Sequence, residues 1–248
     1  MKKLLLALLI SLPVAAADLR SGHDDLPRLT QALQDDDDAN PGMLWAMQGK
    51  DLWSRPPPQN APSCASCHGP VSIMKGVAAR YPVYDETRQS AVTLMARINQ
   101  CRTEFQHQSA LGDEQDATLG LTAFIALQSR GLPVSVATDG PLAKIGEQGR
   151  AIFNLRQGQL DLSCADCHND LAGKNFGGFT IPQGHPNGYP LYRQEWRRLG
   201  SLERELRNCL SRMRAASYPD NSPDLLALIV YLTQRSIGLQ VETPAVRP

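Results

Sequence analysis

Cys64-Ala65-Ser66-Cys67-His68 and Cys164-Ala165-Asp166-Cys167-His168 repeat one spacing, Cys-x-x-Cys-His, at two places in a chain of 248 residues. Two thiols three positions apart on a tight turn can reach the two vinyl groups of a haem. The histidine that follows is then placed to bind the iron from one side. A zinc knuckle, a redox dithiol or a disulfide would use the same residue types. Two occurrences at equivalent places favour two covalently bound haems c, one on Cys64 and Cys67 with His68 as iron ligand, one on Cys164 and Cys167 with His168.

The equivalence extends outward from the motifs. Gly49-Lys50-Asp51-Leu52-Trp53 precedes Cys64 at the distance at which Gly149-Arg150-Ala151-Ile152-Phe153 precedes Cys164. Tyr81-Pro82-Val83-Tyr84 stands twenty residues before Cys101, and Tyr189-Pro190-Leu191-Tyr192 twenty before Cys209. Each copy closes with an apolar helix ending in Arg130-Gly131 or Arg235-Ser236. An internal repeat of this kind sets the architecture before any element is assigned. The expectation is a mainly α chain of two tandem cytochrome c-like haem domains related by duplication, residues 18–138 and 139–248, joined in the stretch Pro133 to Gly140.

Within that plan, Leu121, Phe124 and Ile125 share a helix face, stopped by Gly131 and Pro133. Ser222-Pro223 reads as an N-cap and first turn for a helix from Asp224 to about Arg235. Helix formers run from Glu195 to about Met213. Pro56-Pro57-Pro58 and the stretch from Phe176 to Pro190 read as loops. No convincing alternation of strand residues is present, and the acidic run Asp35 to Asp38 reads as a solvated loop ahead of the first helix.

The N-terminus has a basic start (Lys2-Lys3), an apolar run from Leu4 to Leu12 and small residues at Ala15-Ala16-Ala17. This is the pattern of a secretory signal peptide, residues 1–17, and places the mature protein in the periplasm. The apolar run falls short of the ~20 residues of a membrane span, so no membrane span is expected. Formal charge is +0, with no basic stripe for nucleic acid.

The second axial ligands are sought among residues that recur. At the offset that aligns the two Tyr-Pro motifs (81 to 189), His185 falls on Val77, His107 on Ala215 and Met95 on Glu203. The pair that recurs is Cys101 and Cys209. Thiolate is therefore expected opposite His68 and His168, the alternatives being a Cys101–Cys209 disulfide or buried free thiols. A thiolate ligand favours ferric iron and a low potential. Arg193, Arg197, Arg198, Arg204, Arg207, Arg212 and Arg214 crowd the sequence around Cys209, opposed by Glu195, Glu203 and Glu205. Arginine suits a sulfonate group through parallel charge-assisted hydrogen bonds, and cationic neighbours hold a thiol as thiolate. The plainer reading of any one of these arginines is a salt-bridged helix face.

With these residues in view, the chain resembles the A subunit of the Sox thiosulfate-oxidising cytochrome, the SoxAX complex or L-cysteine S-thiosulfotransferase, in its dihaem form. The resemblance rests on the haem motifs, both downstream cysteines, Gly76-Val77-Ala78-Ala79-Arg80-Tyr81-Pro82, Tyr189-Pro190-Leu191-Tyr192-Arg193-Gln194-Glu195-Trp196, Leu199-Gly200-Ser201-Leu202 and the end Glu242-Thr243-Pro244-Ala245-Val246-Arg247-Pro248. It implies an enzyme that joins thiosulfate to a cysteine on a sulfur-carrier protein (SoxYZ-like) and passes two electrons through haem to a small c-type cytochrome subunit (SoxX-like). It further implies that Cys209 is both haem ligand and catalytic sulfur, found as a persulfide, and that the first haem is remote from the chemistry. The family usually has arginine four residues before the active cysteine, where this chain has Glu205. Arg212 is expected to supply the displaced charge while pairing with Glu205. Arg235, which aligns with Arg130, and then Arg207 and Arg204 are the further substrate-binding candidates. The competing functions are a thiosulfate dehydrogenase forming tetrathionate and a non-catalytic dihaem electron shuttle.

Overall fold

A computed structural model describes residues 18–248; the expected signal peptide, residues 1–17, lies outside the described residues. The helices are α1 (Arg28–Asp35), α2 (Met43–Ser54), α3 (Cys64–His68), α4 (Leu94–Gln100), α5 (Asp116–Leu127), α6 (Gly140–Asn154), α7 (Leu202–Arg212) and α8 (Pro223–Arg235). Seven short strands accompany them: β1 (Val83–Asp85), β2 (Ser90–Val92), β3 (Asn175–Phe176), β4 (Phe179–Thr180), β5 (Leu191–Arg193), β6 (Arg198–Gly200) and β7 (Val246–Arg247). The protein is mainly helical, as its sequence predicts.

Each repeat is built on a pair of crossing helices, α2 on α5 and α6 on α8. The crossings are close because glycine sits at both. A Cβ on Gly49 would lie 2.1 Å from the Gly120 carbonyl oxygen, and one on Gly149 only 1.9 Å from that of Ala227. Around the first crossing Trp53, Ile98, Leu121, Phe124 and Ile125 are buried, with Cys64, Ala65 and Leu94 packed on them. Around the second, Phe153, Leu228 and Leu232 are buried against Cys164, Ala165, Leu206 and Tyr231. The haem motif and the helix that leads to its downstream cysteine thus share one apolar cluster in each repeat.

The strands are a departure from the sequence reading. Antiparallel hairpins β1–β2 and β5–β6 follow the two Tyr-Pro motifs, and β7 adds to β5 in parallel, pairing Arg193 with Arg247. At three residues or fewer, such strands carry too little alternation to be read. Their tips are also duplicated, with Gln89 and Arg197 at φ 51° and 53°. The helix expected from Glu195 starts only at Leu202. Trp196 folds across Gly200, Leu199 is fully buried in β6, and Ser201 caps α7 by accepting from the Arg204 amide at 3.1 Å. Thr93 caps α4 in the same way. At α8 the Ser222 cap and Pro223 are where the sequence puts them.

The acidic run is not ahead of the first helix. It follows α1, and Asp37 makes a two-pronged ion pair with Arg130 at 2.6 and 2.7 Å. The stretch Phe176 to Pro190, read as loop, opens with the β3–β4 hairpin. Two further apolar clusters hold the repeats together. Val134, Val136 and Leu142 pack with Ala79, Ala91 and Val230, and Leu199 packs with Met95, Leu119 and Ala123. Among the described residues no helix is long and apolar enough to cross a membrane.

Candidate haem sites and the Cys209 centre

A serine starts each attachment turn. Ser63 Oγ accepts from the Ser66 amide at 3.1 Å. Ser163 Oγ accepts from the Asp166 amide at 3.2 Å, while Asp166 returns the bond to the Ser163 amide at 3.0 Å. These caps, reciprocal in the second motif, hold both cysteines of a motif on one tight turn. Trp53 donates to the Gly69 carbonyl at 3.2 Å and lies 5.8 Å from the His68 ring, centroid to centroid.

The two histidines differ. His68 is exposed, whereas His168 donates from Nδ1 to the Pro182 carbonyl at 2.8 Å. Burial pushes the His168 pKa down, so the ring is neutral, and the Pro182 bond fixes the tautomer that leaves the Nε2 lone pair free. Gly184, at φ +76°, allows this approach: a Cβ there would lie 3.0 Å from the ring.

All six cysteines are free, so Cys101 and Cys209 are not joined. Each instead sits with its own repeat. Cys101 lies near enough to Cys64 and Cys67 for their charges to interact, and Cys209 likewise to Cys164. Among the described residues no three His, Cys, Asp or Glu side chains are arranged to hold a bare metal ion. Two thiols on a capped turn, a neutral imidazole with a free nitrogen and a further thiol within the same repeat are a donor set that fits haem c. A cavity of about 600 Å³ beside His168 is bounded by Asn169, Gln183, His185, Arg235 and the segment from Asp18 to Arg20. His185 Nδ1 and Arg235 Nε are buried there without partners.

Electrostatics around Cys209 correct one expectation. Burial first, then the Glu205 carboxylate, push the thiol up to about 12, against the smaller pull of Arg212 and Arg193. The arginines alone therefore do not make it a thiolate. Its Sγ lies 3.8 Å from Glu205 Oε1. Glu205 is bound more closely by Arg193, at 2.8 Å, than by its expected partner Arg212, at 3.6 Å.

The other candidate arginines are engaged elsewhere. Arg207 pairs with Asp220 at 2.6 Å; Arg204 lies over Trp196 and 3.6 Å from Glu114. Arg198 ties α7's approach to the first repeat through Asp116 and the Glu114 carbonyl. Arg235 reaches Asn169 and the Gln183 carbonyl and stacks 4.4 Å over Phe153, unlike its counterpart Arg130 with Asp37. Arg212 and Arg193 are the cations that act on the thiol. The Arg193–Glu205 pair and the Pro182 carbonyl are what the sequence reading missed. The first had a signal, since the repeat offset sets Arg193 on Asp85 and Glu205 on Arg97; the second, a backbone atom in a loop, had none.

The family model described as "SoxA/TsdA, cytochrome c domain" matches residues 48–134 and 148–241. The chain is 39% identical to the L-cysteine S-thiosulfotransferase subunit SoxA of Rhodovulum sulfidophilum, over 93% of this chain and 80% of that one. The chain belongs to the SoxA family. The subunit of the same description from Pseudaminobacter salicylatoxidans is 37% identical, over 88% and 77%. The crystal structure of SoxXA from P. pantotrophus superimposes with a TM-score of 0.89 at 35% identity, covering 93% of this chain and 87% of that one. Membership of a cytochrome c family implies haem c in this SoxA-family chain.

Proposed function

We propose that the chain is the SoxA subunit of a periplasmic L-cysteine S-thiosulfotransferase, with Cys209 as the reacting sulfur. The observation that carries this reading is the asymmetry of the repeats. In the second, His168 is oriented by Pro182 and lines a cavity with unpaired polar groups, and Cys209 is half-buried beside a carboxylate and two arginines. In the first, Cys67 and His68 are exposed and its arginine closes on Asp37.

In the overall reaction a carrier thiol and thiosulfate give a carrier S-thiosulfonate, one proton and two electrons. A sulfur–sulfur bond forms, the thiol S–H breaks, and a c-type cytochrome partner takes the electrons. Cys64, Cys67, His68 and Cys101 would hold one haem c, and Cys164, Cys167, His168 and Cys209 a second. When bound, the second would accept electrons one at a time and would favour the deprotonated form of Cys209 where its surroundings alone do not. The chain's own part is to hold Cys209 half-buried beside Glu205, to hold His168 in one tautomer and to present Arg212 to the sulfonate group.

The SoxXA crystal structure supports a SoxX-like partner subunit; a small c-type cytochrome as that subunit and a SoxYZ-like carrier are what the family resemblance implies. The test is to incubate the co-expressed complex with thiosulfate and a carrier and to weigh the carrier. The S-thiosulfonate adduct should form, and Cys209→Ala should abolish it. Tetrathionate without a carrier adduct would identify a thiosulfate dehydrogenase instead.

A further inference from the structure

The two repeats hold the same ion pair with its polarity reversed. In the first, Asp85 on β1 binds Arg97 on α4 at 3.0 Å, four residues before Cys101. In the second, Arg193 on β5 binds Glu205 on α7 at 2.8 Å, four residues before Cys209. The offset that aligns the cysteines aligns both members, so the cation has moved from helix to strand while the bridge has stayed.

The strand cation is held in place. β7 pairs with β5 at this point, and Arg193 Nη1 donates to a Pro248 backbone oxygen at 3.1 Å. Side-chain exposure is 17% for Arg193 and 13% for Glu205, against 55% for Arg212. Glu205 therefore has one short, enclosed partner in Arg193 and one long, loose partner in Arg212.

From this we infer that Arg193 is a positioning residue for the thiosulfate site, a role that rests on the transferase reading above. It occupies the Glu205 carboxylate and so leaves Arg212 free to receive an anion at Cys209. Without Arg193 the carboxylate takes Arg212 for itself, and the positive charge that faces a dianion is cancelled. With Arg193 in place, Glu205 has a close partner other than Arg212, and the Arg212 charge stays available beside the thiol.

The test is thiosulfate binding by calorimetry to the haem-loaded complex, together with KM and kcat, for Arg193→Gln, Glu205→Gln and the double variant. Arg193→Gln should raise Kd and KM about tenfold, the loss of one charge-assisted contact, with kcat changing less. The double variant should return to within about threefold of wild type, because the acid that captures Arg212 is gone. Packing alone would give no such rescue. Unchanged binding in Arg193→Gln, or a double variant as weak as the single, would overturn the inference. Haem absorption reports assembly. If Arg193→Gln does not assemble, Glu205→Gln decides: tighter binding supports the inference, and equal or weaker binding overturns it. A wild-type complex that binds thiosulfate without forming the carrier adduct would refute the transferase reading alone, since the binding comparison does not depend on turnover.

Discussion

Gly184→Ala tests the orientation of His168, and the protein carries its own control. Gly76 is the equivalent residue of the first repeat, at φ +77° against +76° for Gly184. Alanine costs about 1–2 kcal/mol in this left-handed backbone region, offset by about 0.4–1 kcal/mol from a stiffer unfolded chain. That part is common to both sites. At Gly76 the new methyl would meet only Arg80 and Leu132, at 3.5 and 3.7 Å. At Gly184 it would meet the His168 ring at 3.0 Å, while the Pro182 carbonyl holds the other side of Nδ1 at 2.8 Å. The ring must give by a few tenths of an ångström, at about 1 kcal/mol more for an off-rotamer side chain. At about 2–4 °C per kcal/mol for a chain of this size, Gly184→Ala should melt roughly 2–4 °C below Gly76→Ala. Calorimetry gives the melting points, and electron paramagnetic resonance of the ferric protein gives the ligand fields. Gly184→Ala should shift one haem signal, and Gly76→Ala neither. Equal melting points with both signals unmoved would refute the proposed role of Gly184 in seating the ligand.

Other consequences can be checked beside it. Gly149→Ala forces α6 off the Ala227 carbonyl and should cost about 1–3 kcal/mol in a chemical melt. Gly146→Ala meets only the movable end of Gln234 and should cost little, or gain up to about 1 kcal/mol of helix propensity. Arg212→Ala should lower kcat/KM for thiosulfate by about 10–100-fold, the worth of a charged hydrogen bond, and Arg198→Ala by less than about threefold. Burial, with Asp113 and Glu114 nearby, pushes Glu203 from 4.5 up to about 7. Between those values the folded chain keeps a proton that the unfolded chain releases, so stability falls as pH rises through the window. In calorimetric melts at pH 5 and pH 8, Glu203→Gln should lose less stability than wild type on going to the higher pH.

Most of the architecture was legible because duplication multiplies weak signals. One Cys-x-x-Cys-His turn is ambiguous, but its recurrence with Gly49 and Gly149, and with the two Tyr-Pro motifs, is not. The glycines recur because each helix crossing brings a carbonyl within about 2 Å of where a Cβ would stand. The α8 helix was readable from Ser222-Pro223 because a cap is a local interaction. The start of α7 was not, since Glu195 to Gly200 has helix-forming side chains and is turned into a hairpin by burial of Leu199. The arginines show the same limit. Seven of them cluster in sequence near Cys209, but only tertiary structure sends Arg207 to Asp220 and Arg193 to Glu205.

The central claim, that Cys209 is the reacting sulfur of a dihaem protein, is tested most directly by mass spectrometry of the purified exported complex, intact and after digestion. The account predicts two haems on the chain, an added sulfur atom on the peptide carrying Cys209, and none on the peptide carrying Cys101. Two haems with Cys209 unmodified, even after exposure to thiosulfate, would contradict it and leave a cytochrome that only carries electrons.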